Sequence, residues 1–277
     1  MTLVANTTKN RLFAGQVALG FGVHHLRTTA APILAASTGH HWMFIDGEHG
    51  AFSVQDMTQL CIAALATGVT PIVRVCSGAI DEATRALDNG ALGIVMPHVD
   101  TAKQARRIAD AFRYPPAGTR SWGGPPAVYG YRPPATEEAQ RAINDAILTV
   151  VMLETPEAIE NAADIAQVDG IDVLFIGTSD LTASMGISGQ MGHQKVIDAY
   201  REVGEACRKH GKVLGMGGVY DQENAARYVG MGALFLLTGS DHSYLMAGAD
   251  QRVSFFNGLA LPGAEPAPAG KKRKKDR

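Results

Sequence analysis

Eight short apolar runs, separated by stretches of helical periodicity, constrain this 277-residue chain more than any other feature. They are Val17–Val23, Trp42–Asp46, Pro71–Val75, Gly93–Pro97, Leu148–Glu154, Val173–Gly177, Lys212–Met216 and Ala233–Leu237. Several are rich in Val, Ile and Leu without strict alternation, as strands buried on both faces of a parallel sheet should be. Between them lie helix-like segments such as Val54–Ala66, Thr101–Phe112, Pro156–Gln167, Gln194–His210 and Gln222–Val229. Thr155-Pro156 marks a helix start, because proline at the first helical position lacks only an N–H that would be unpaired anyway. Eight βα units in about 250 residues predict one closed (β/α)8 barrel of the α/β class. The alternative is an open, doubly wound sheet, but G-x-G-x-x-G after the first run and a P-loop are both missing.

Composition removes several function classes. A hydrophobic content of 46% with 19% charged residues is ordinary for a soluble globular protein. Aromatics at 6% are too sparse for a base-stacking surface, so no nucleic-acid partner is expected. No apolar stretch approaches the roughly 20 residues that span a bilayer, so no membrane partner is expected either. The opening MTLVANTTKNRLFAG lacks a basic segment followed by an apolar one, and therefore does not read as a secretory signal. Three widely spaced cysteines, Cys61, Cys76 and Cys207, suit reduced thiols in a cytoplasm. Residues 1–260 read as the barrel domain and 261–277 as a flexible basic tail. LPGAEPAPAG is rich in Pro, Ala and Gly, and KKRKKDR after it is net +5 in a chain of net −2.

Four of the runs deliver charge at their carboxyl ends. WMFID ends on Asp46, PIVRV carries Arg74 as its penultimate residue, VVMLE ends on Glu154, and VLFIGTSD reaches Asp180 one short turn later. Burying unpaired charge is costly, and barrel enzymes keep their chemistry at the carboxyl ends of the strands. Two carboxylates at successive strand ends suggest a divalent metal. FIDGEHG adds His49, the only histidine beside a carboxylate at a predicted strand exit. The adjacent pairs His24-His25 and His40-His41 should diverge and read as structural, and His98 stands in reserve. Two plainer readings stay open at this point. Glu154 and Asp180 could cap the helices that follow them, and Arg74 could simply neutralise Asp46. The Pro- and Gly-rich insertion YPPAGTRSWGGPPAVYGYRPP, read as following the fourth strand, is expected at the mouth as a lid, wall or subunit contact.

FIDGEHG, PIVRV, LDNGALGIVMPHV, PPAGTR, VMLET and IGTSDLTASMG occur in that order. In order and spacing the chain resembles the metal-dependent (class II) pyruvate aldolases of the 4-hydroxy-2-oxoheptanedioate aldolase type, within the citrate lyase beta superfamily. The resemblance runs from about residue 10 to 257. It implies that Glu154 and Asp180 bind Mg²⁺ or Mn²⁺, with Co²⁺ as a further candidate. It also implies that His49 is the acid–base histidine and that Asp46 lies near the metal-bound water. Arg74 would contact the keto acid and its enolate, with Gly177, Thr178 and Ser179 also touching substrate. Asp88, in LDNG, would reach the histidine of a neighbouring subunit. The resemblance implies dimers grouped into hexamers, with the last helix, about Ser243–Asn257, exchanged between partners. Two departures stand out. Met152 occupies a position where several members have a pyruvate-touching glutamine, and Gly177-Thr178-Ser179-Asp180 stands where many have Gly-Pro before the Ser/Ala-Asp.

Elementary chemistry points the same way. An aldolase needs an electron sink for the carbanion it forms, either a Schiff-base lysine or a Lewis acid. None of the nine lysines falls at the carboxyl end of a predicted strand, and Lys212 begins one. Hard carboxylate ligands suit the second solution. The expected reaction is reversible cleavage of a 4-hydroxy-2-oxo acid to pyruvate and an aldehyde. The alternatives are a CoA-thioester lyase of the malyl-CoA or citryl-CoA type, with Arg120 and Arg132 available for the CoA phosphates, and a non-catalytic keto-acid-binding barrel. Ser240-Asp241 places negative charge where many barrels bind phosphate, which disfavours a phosphorylated aldehyde.

Overall fold

Among residues 2–259, which the computed structural model describes, eight parallel strands close into a barrel in sequence order. They are β1 (Ala18–Val23), β2 (Trp42–Asp46), β3 (Thr70–Arg74), β4 (Gly93–Met96), β5 (Leu148–Leu153), β6 (Val173–Gly177), β7 (Val213–Gly217) and β8 (Ala233–Ser240). Strand β8 pairs back onto β1 and completes the ring. The helices in the first half are α1 (Thr7–Phe13), α2 (Ala31–Ser37), α3 (Val54–Leu65), α4 (Ile80–Asp88), α5 (Ala102–Phe112) and α6 (Thr136–Ala146). The second half has α7 (Pro156–Glu160), α8 (Ala162–Ala166), α9 (Thr178–Ser184), α10 (Gln194–His210), α11 (Gln222–Gly230) and α12 (Asp241–Asn257). Residues up to Asp241 form one compact unit, and a second begins at His242. The tail expected at 261–277 lies outside the described residues. Among those described, no helix is long and apolar enough to cross a membrane.

The barrel interior is filled by side chains. Trp42 stacks on Phe235 with ring centroids 3.9 Å apart, and Phe175 meets Phe235 edge-on at 5.6 Å. Three glycines make room for these rings. A Cβ on Gly20 would stand 2.3 Å from the Trp42 indole, and Cβ atoms on Gly215 and Gly217 would come within 2.6 Å and 2.5 Å of the Phe175 ring. Large residues on β2, β6 and β8 thus face small ones on β1 and β7. The result is a solid plug beneath the carboxyl ends of the strands.

Helix starts follow local chemistry. Ser53 with Asp56, and Thr101 with Gln104, form reciprocal capping boxes at α3 and α5. Thr155 caps α7 with Pro156 at the first helical position, as expected. The single helix expected over 156–167 is in fact two, α7 and α8. Asn161 leaves helical geometry at the junction and donates its side-chain amide to the carbonyl of Asp100 at 2.8 Å.

One expectation is corrected. The Pro- and Gly-rich insertion follows α5, not β4, so α5 has already returned the chain to the amino-terminal ends of the strands. There Val128 bonds Val4 and borders Leu92 and Ile147, which immediately precede β4 and β5. The insertion therefore does not line the mouth of its own barrel.

Candidate active site

Asp46 and Arg74 are the terminal residues of β2 and β3 and are in register with each other. Arg74 Nε donates to Asp46 Oδ1 at 2.8 Å, and Nη2 donates to Oδ2 at 2.6 Å. The backbone N–H groups of Glu48 and His49 add bonds to Oδ1 at 3.1 and 3.2 Å. His24, one residue past β1, places Nε2 2.8 Å from Oδ2. Burial is the strongest single influence and opposes ionisation of this fully buried carboxyl. Hydrogen bonds from His24 and Arg74, with the Arg74 charge, outweigh it and hold the group well below its ordinary value of 3.8. A carboxylate with five donors has no lone pair left for a substrate proton, so Asp46 serves here as an anchor. Glu48 takes the other edge of Arg74, with Oε2 3.2 Å from Nη1.

Glu154 follows β5 directly and is 2% exposed. Its Oε2 accepts the backbone N–H of His98 at 2.8 Å, and the His98 ring nitrogen Nδ1 lies 3.2 Å from the same oxygen. His98 adopts φ +54°, a left-handed conformation uncommon outside glycine. Burial raises the pKa of Glu154, and the negative charge of Asp180 adds to that rise, while His98 and Arg74 oppose it. Asp180 lies exposed in the first turn of α9. The plainer reading of both residues as helix caps is not what the structure shows. Thr155, not Glu154, caps α7, and α9 has no side-chain cap.

These two carboxylates fit a divalent cation. Ionised Glu154 is disfavoured by burial and by its acidic neighbour, a penalty that a bound cation would offset. Space is kept for the group by Gly177, where a Cβ would lie 2.7 Å from Glu154 Oε1.

A cavity of about 160 Å³ opens at this end of the barrel. Phe44, Met152, Phe175 and Leu237 form its apolar floor, and His24, His49, Arg74, Ser179 and Asp180 bring polar groups to it. Gly177 and Thr178 border it too. His49 is 65% exposed in its side chain, and its Nε2 stands 3.8 Å from Glu48. Thr178 is buried, with its hydroxyl 2.7 Å from the Tyr200 hydroxyl. No lysine lines the cavity among the described residues. Lys9 and Lys212 bond carbonyls of Ile147 and Val168, at the opposite end of the barrel.

Asp88 is the one expected site residue that stands apart. It ends α4, and its Oδ1 accepts from Arg120 Nη2 at 2.6 Å. Arg120 is itself buried, with its guanidinium 4.6 Å from the centre of the Tyr114 ring. The Trp122–Tyr131 stretch is absent from the cavity lining, whereas Gly217, Gly218 and Tyr220 belong to it. Two contributors escaped sequence reasoning. His24 is a partner of Asp46 and not a structural half of a histidine pair, and Glu48 is the second carboxylate on Arg74. Only the position of His24 at a strand exit could have signalled it.

The sequence model of the HpcH/HpaI aldolase/citrate lyase family matches residues 28–247. The chain belongs to that family. Among its HpcH/HpaI relatives, a 4-hydroxy-4-methyl-2-oxoglutarate aldolase of Hapsidospora irregularis is 34% identical, covering 90% of this chain and 94% of that one. A 2-keto-3-deoxy-L-rhamnonate aldolase of Escherichia coli K12 is 33% identical, covering 95% and 98% respectively. The crystal structure of an HpcH/HpaI aldolase from Desulfitobacterium hafniense superposes with a TM-score of 0.86 at 29% identity, covering 93% of this chain and 98% of that one.

Proposed function

We propose that the protein catalyses reversible, metal-dependent aldol cleavage of a 4-hydroxy-2-oxo acid to pyruvate and an aldehyde. One observation carries this reading: Asp180 and Arg74 line one small cavity, buried Glu154 lies close enough to feel both charges, and among the described residues no lysine lines that cavity. The names of the HpcH/HpaI relatives, both aldolases of 2-oxo or 2-keto acids, support it. Glu154 and Asp180 would hold the divalent ion, Mg²⁺ or Mn²⁺, whose Lewis acidity would stabilise negative charge on the keto-acid fragment. Arg74, clamped by Asp46 and Glu48, presents fixed positive charge to the keto acid. Ser179, Gly177 and Thr178 border the same cavity. His49 takes the proton of the C4 hydroxyl; as the C4 carbonyl forms, the C3–C4 bond breaks and its electron pair becomes the enolate of pyruvate. Delivery to C3 of the proton that His49 took up, directly or through water, then completes pyruvate. A positioned base of this kind contributes about 10²–10⁴ in rate.

The cavity argues against a CoA-thioester lyase. Among the described residues Arg74 is the only Lys or Arg that lines it, and it is already shared by two carboxylates. Arg120, once a candidate for the CoA phosphates, is buried against Asp88 and Tyr114. A phosphorylated aldehyde is disfavoured too. The three consecutive N–H groups of His24, His25 and Leu26 could cradle an anion, but all donate to Asp241 Oδ2, at 3.1, 2.7 and 2.7 Å.

The deciding assay measures pyruvate release from 4-hydroxy-2-oxo acids by chelator-treated protein, before and after Mn²⁺ or Mg²⁺ is added. Release restored by metal is the expected result, without preference for phosphorylated aldehydes in the reverse direction. Unchanged release without metal would remove Glu154 and Asp180 from the chemistry. A cytoplasmic hexamer with α12 exchanged between partners belongs to the same proposal. It is supported by the exposed Leu245, Met246, Val253, Phe255 and Phe256 of that helix. Sedimentation should give six times the 29.3 kDa chain mass, and a monomer in solution would rule the assembly out.

A further inference from the structure

The carboxylate of Asp46 has two oxygens with different neighbours. Oδ1 is saturated by Arg74 Nε and by the backbone N–H groups of Glu48 and His49. Oδ2 has two side-chain partners, Arg74 Nη2 at 2.6 Å and His24 Nε2 at 2.8 Å. Because Asp46 is ionised, the histidine nitrogen facing it carries the hydrogen and donates. The His24 main chain is also fixed, through the bonds that His24, His25 and Leu26 make to the buried Asp241. The side chain is thus held at Nε2 by Asp46 while the backbone that carries it is fixed by Asp241, as a supporting group should be. It borders the cavity beside Phe44 of β2 and Leu237 of β8, three strands around the ring from β5, which Glu154 follows.

We propose that His24 is a positioning residue for keto-acid binding. By occupying Asp46 Oδ2 it fixes that carboxylate in the pose that holds the Arg74 fork, and so aims the guanidinium at the ligand. Without His24, one oxygen of a fully buried carboxylate depends on Arg74 alone. Arg74 has an alternative partner within reach, Glu48 at 3.2 Å from Nη1. Its guanidinium is then free to turn from Asp46 toward Glu48, out of the line of the substrate. The identity of the ligand rests on the aldolase reading, whereas the geometry of the clamp does not.

The test compares wild type with His24→Leu, which removes the donor, and His24→Gln, whose amide can restore it. His24→Asn, polar but too short to reach Asp46, takes the place of the leucine variant should that fail to fold. Two quantities are read on the full-length, metal-loaded protein. One is pyruvate affinity by calorimetry. The other, recorded with the diamagnetic Mg²⁺ form, is solvent exchange of the Arg74 Nε–H by NMR. In His24→Leu, pyruvate is expected to bind about ten-fold more weakly, the lower end of what a charge-assisted hydrogen bond contributes. Arg74 Nε–H should exchange faster, Mn²⁺ affinity should not change, and His24→Gln should recover both losses. Unchanged Arg74 exchange in His24→Leu overturns the proposal, and so does a loss that glutamine fails to rescue. Should wild type itself bind no pyruvate, the aldolase reading fails, and the Arg74 exchange rates still decide the role of His24.

Discussion

Glu154→Gln is expected to lower kcat/KM for a 4-hydroxy-2-oxo acid by about 10³ or more and to abolish tight Mn²⁺ binding. The magnitude follows from the several kcal/mol that a Lewis acid contributes to developing negative charge, at 1.36 kcal/mol per factor of ten. Glutamine keeps the shape of the side chain and an oxygen able to accept the His98 N–H, now found at 2.8 Å. It removes the charge that burial and Asp180 both disfavour. The metal-free variant should therefore melt no lower than metal-free wild type, and a lost activity would then not reflect a lost fold. Calorimetry with Mn²⁺, steady-state kinetics and a thermal melt together check the claim. Persistent metal-dependent turnover in Glu154→Gln would sink the metal assignment. Asp180→Asn should weaken metal binding in the same direction.

The barrel itself was legible because eight apolar runs recur with helical stretches between them, and the strands found begin and end within a few residues of those runs. The charged strand ends were legible for a physical reason. Asp46, Arg74 and Glu154 each interrupt apolar sequence at a point where burial without a partner is costly. What escaped detection depends on which side chains the closed ring brings face to face. His24 lies 22 residues before Asp46, and nothing local says that β1 and β2 pair so that Val23 sits beside Ile45. Adjacent histidines also suggest diverging surface side chains, which concealed the one that turns inward. The place of the insertion follows from the helix expected over 101–112: α5 carries the chain back from β4 to the amino-terminal ends of the strands before the insertion begins. Asp88 was recognisable from LDNG, but its pairing with Arg120 joins segments 32 residues apart and left no periodic trace.

Asp46→Asn is expected to destabilise the fold by about 3 kcal/mol or more at neutral pH, because breaking a buried ion pair leaves its partner charge uncompensated. Arg74, 7% exposed, would keep only Glu48 as a nearby ion pair, and the His24 donor would face a neutral amide. The pH dependence gives this prediction its sharper form. Asp46 has a folded-state pKa depressed below the ordinary 3.8, so its ionised form stabilises the folded chain. That stabilisation is complete well above 3.8, where both folded and unfolded chains carry the charge. It is lost as the pH falls from there through the depressed value, because the unfolded chain takes up the proton first. The stability gap between wild type and Asp46→Asn should therefore be widest near neutrality and should narrow in acid. Urea unfolding of both proteins at pH 7 and near pH 3 measures it. An equal gap at both values would mean that Asp46 acts through shape alone, and its charge would then not be what holds Arg74 in the site. A gap that closes in acid, together with a raised KM in Asp46→Asn at pH 7, would tie the stability of the β2–β3 edge to the binding of the keto acid. The same ionised carboxylate would then serve both, since the guanidinium it neutralises is the only Lys or Arg side chain lining the cavity among the described residues.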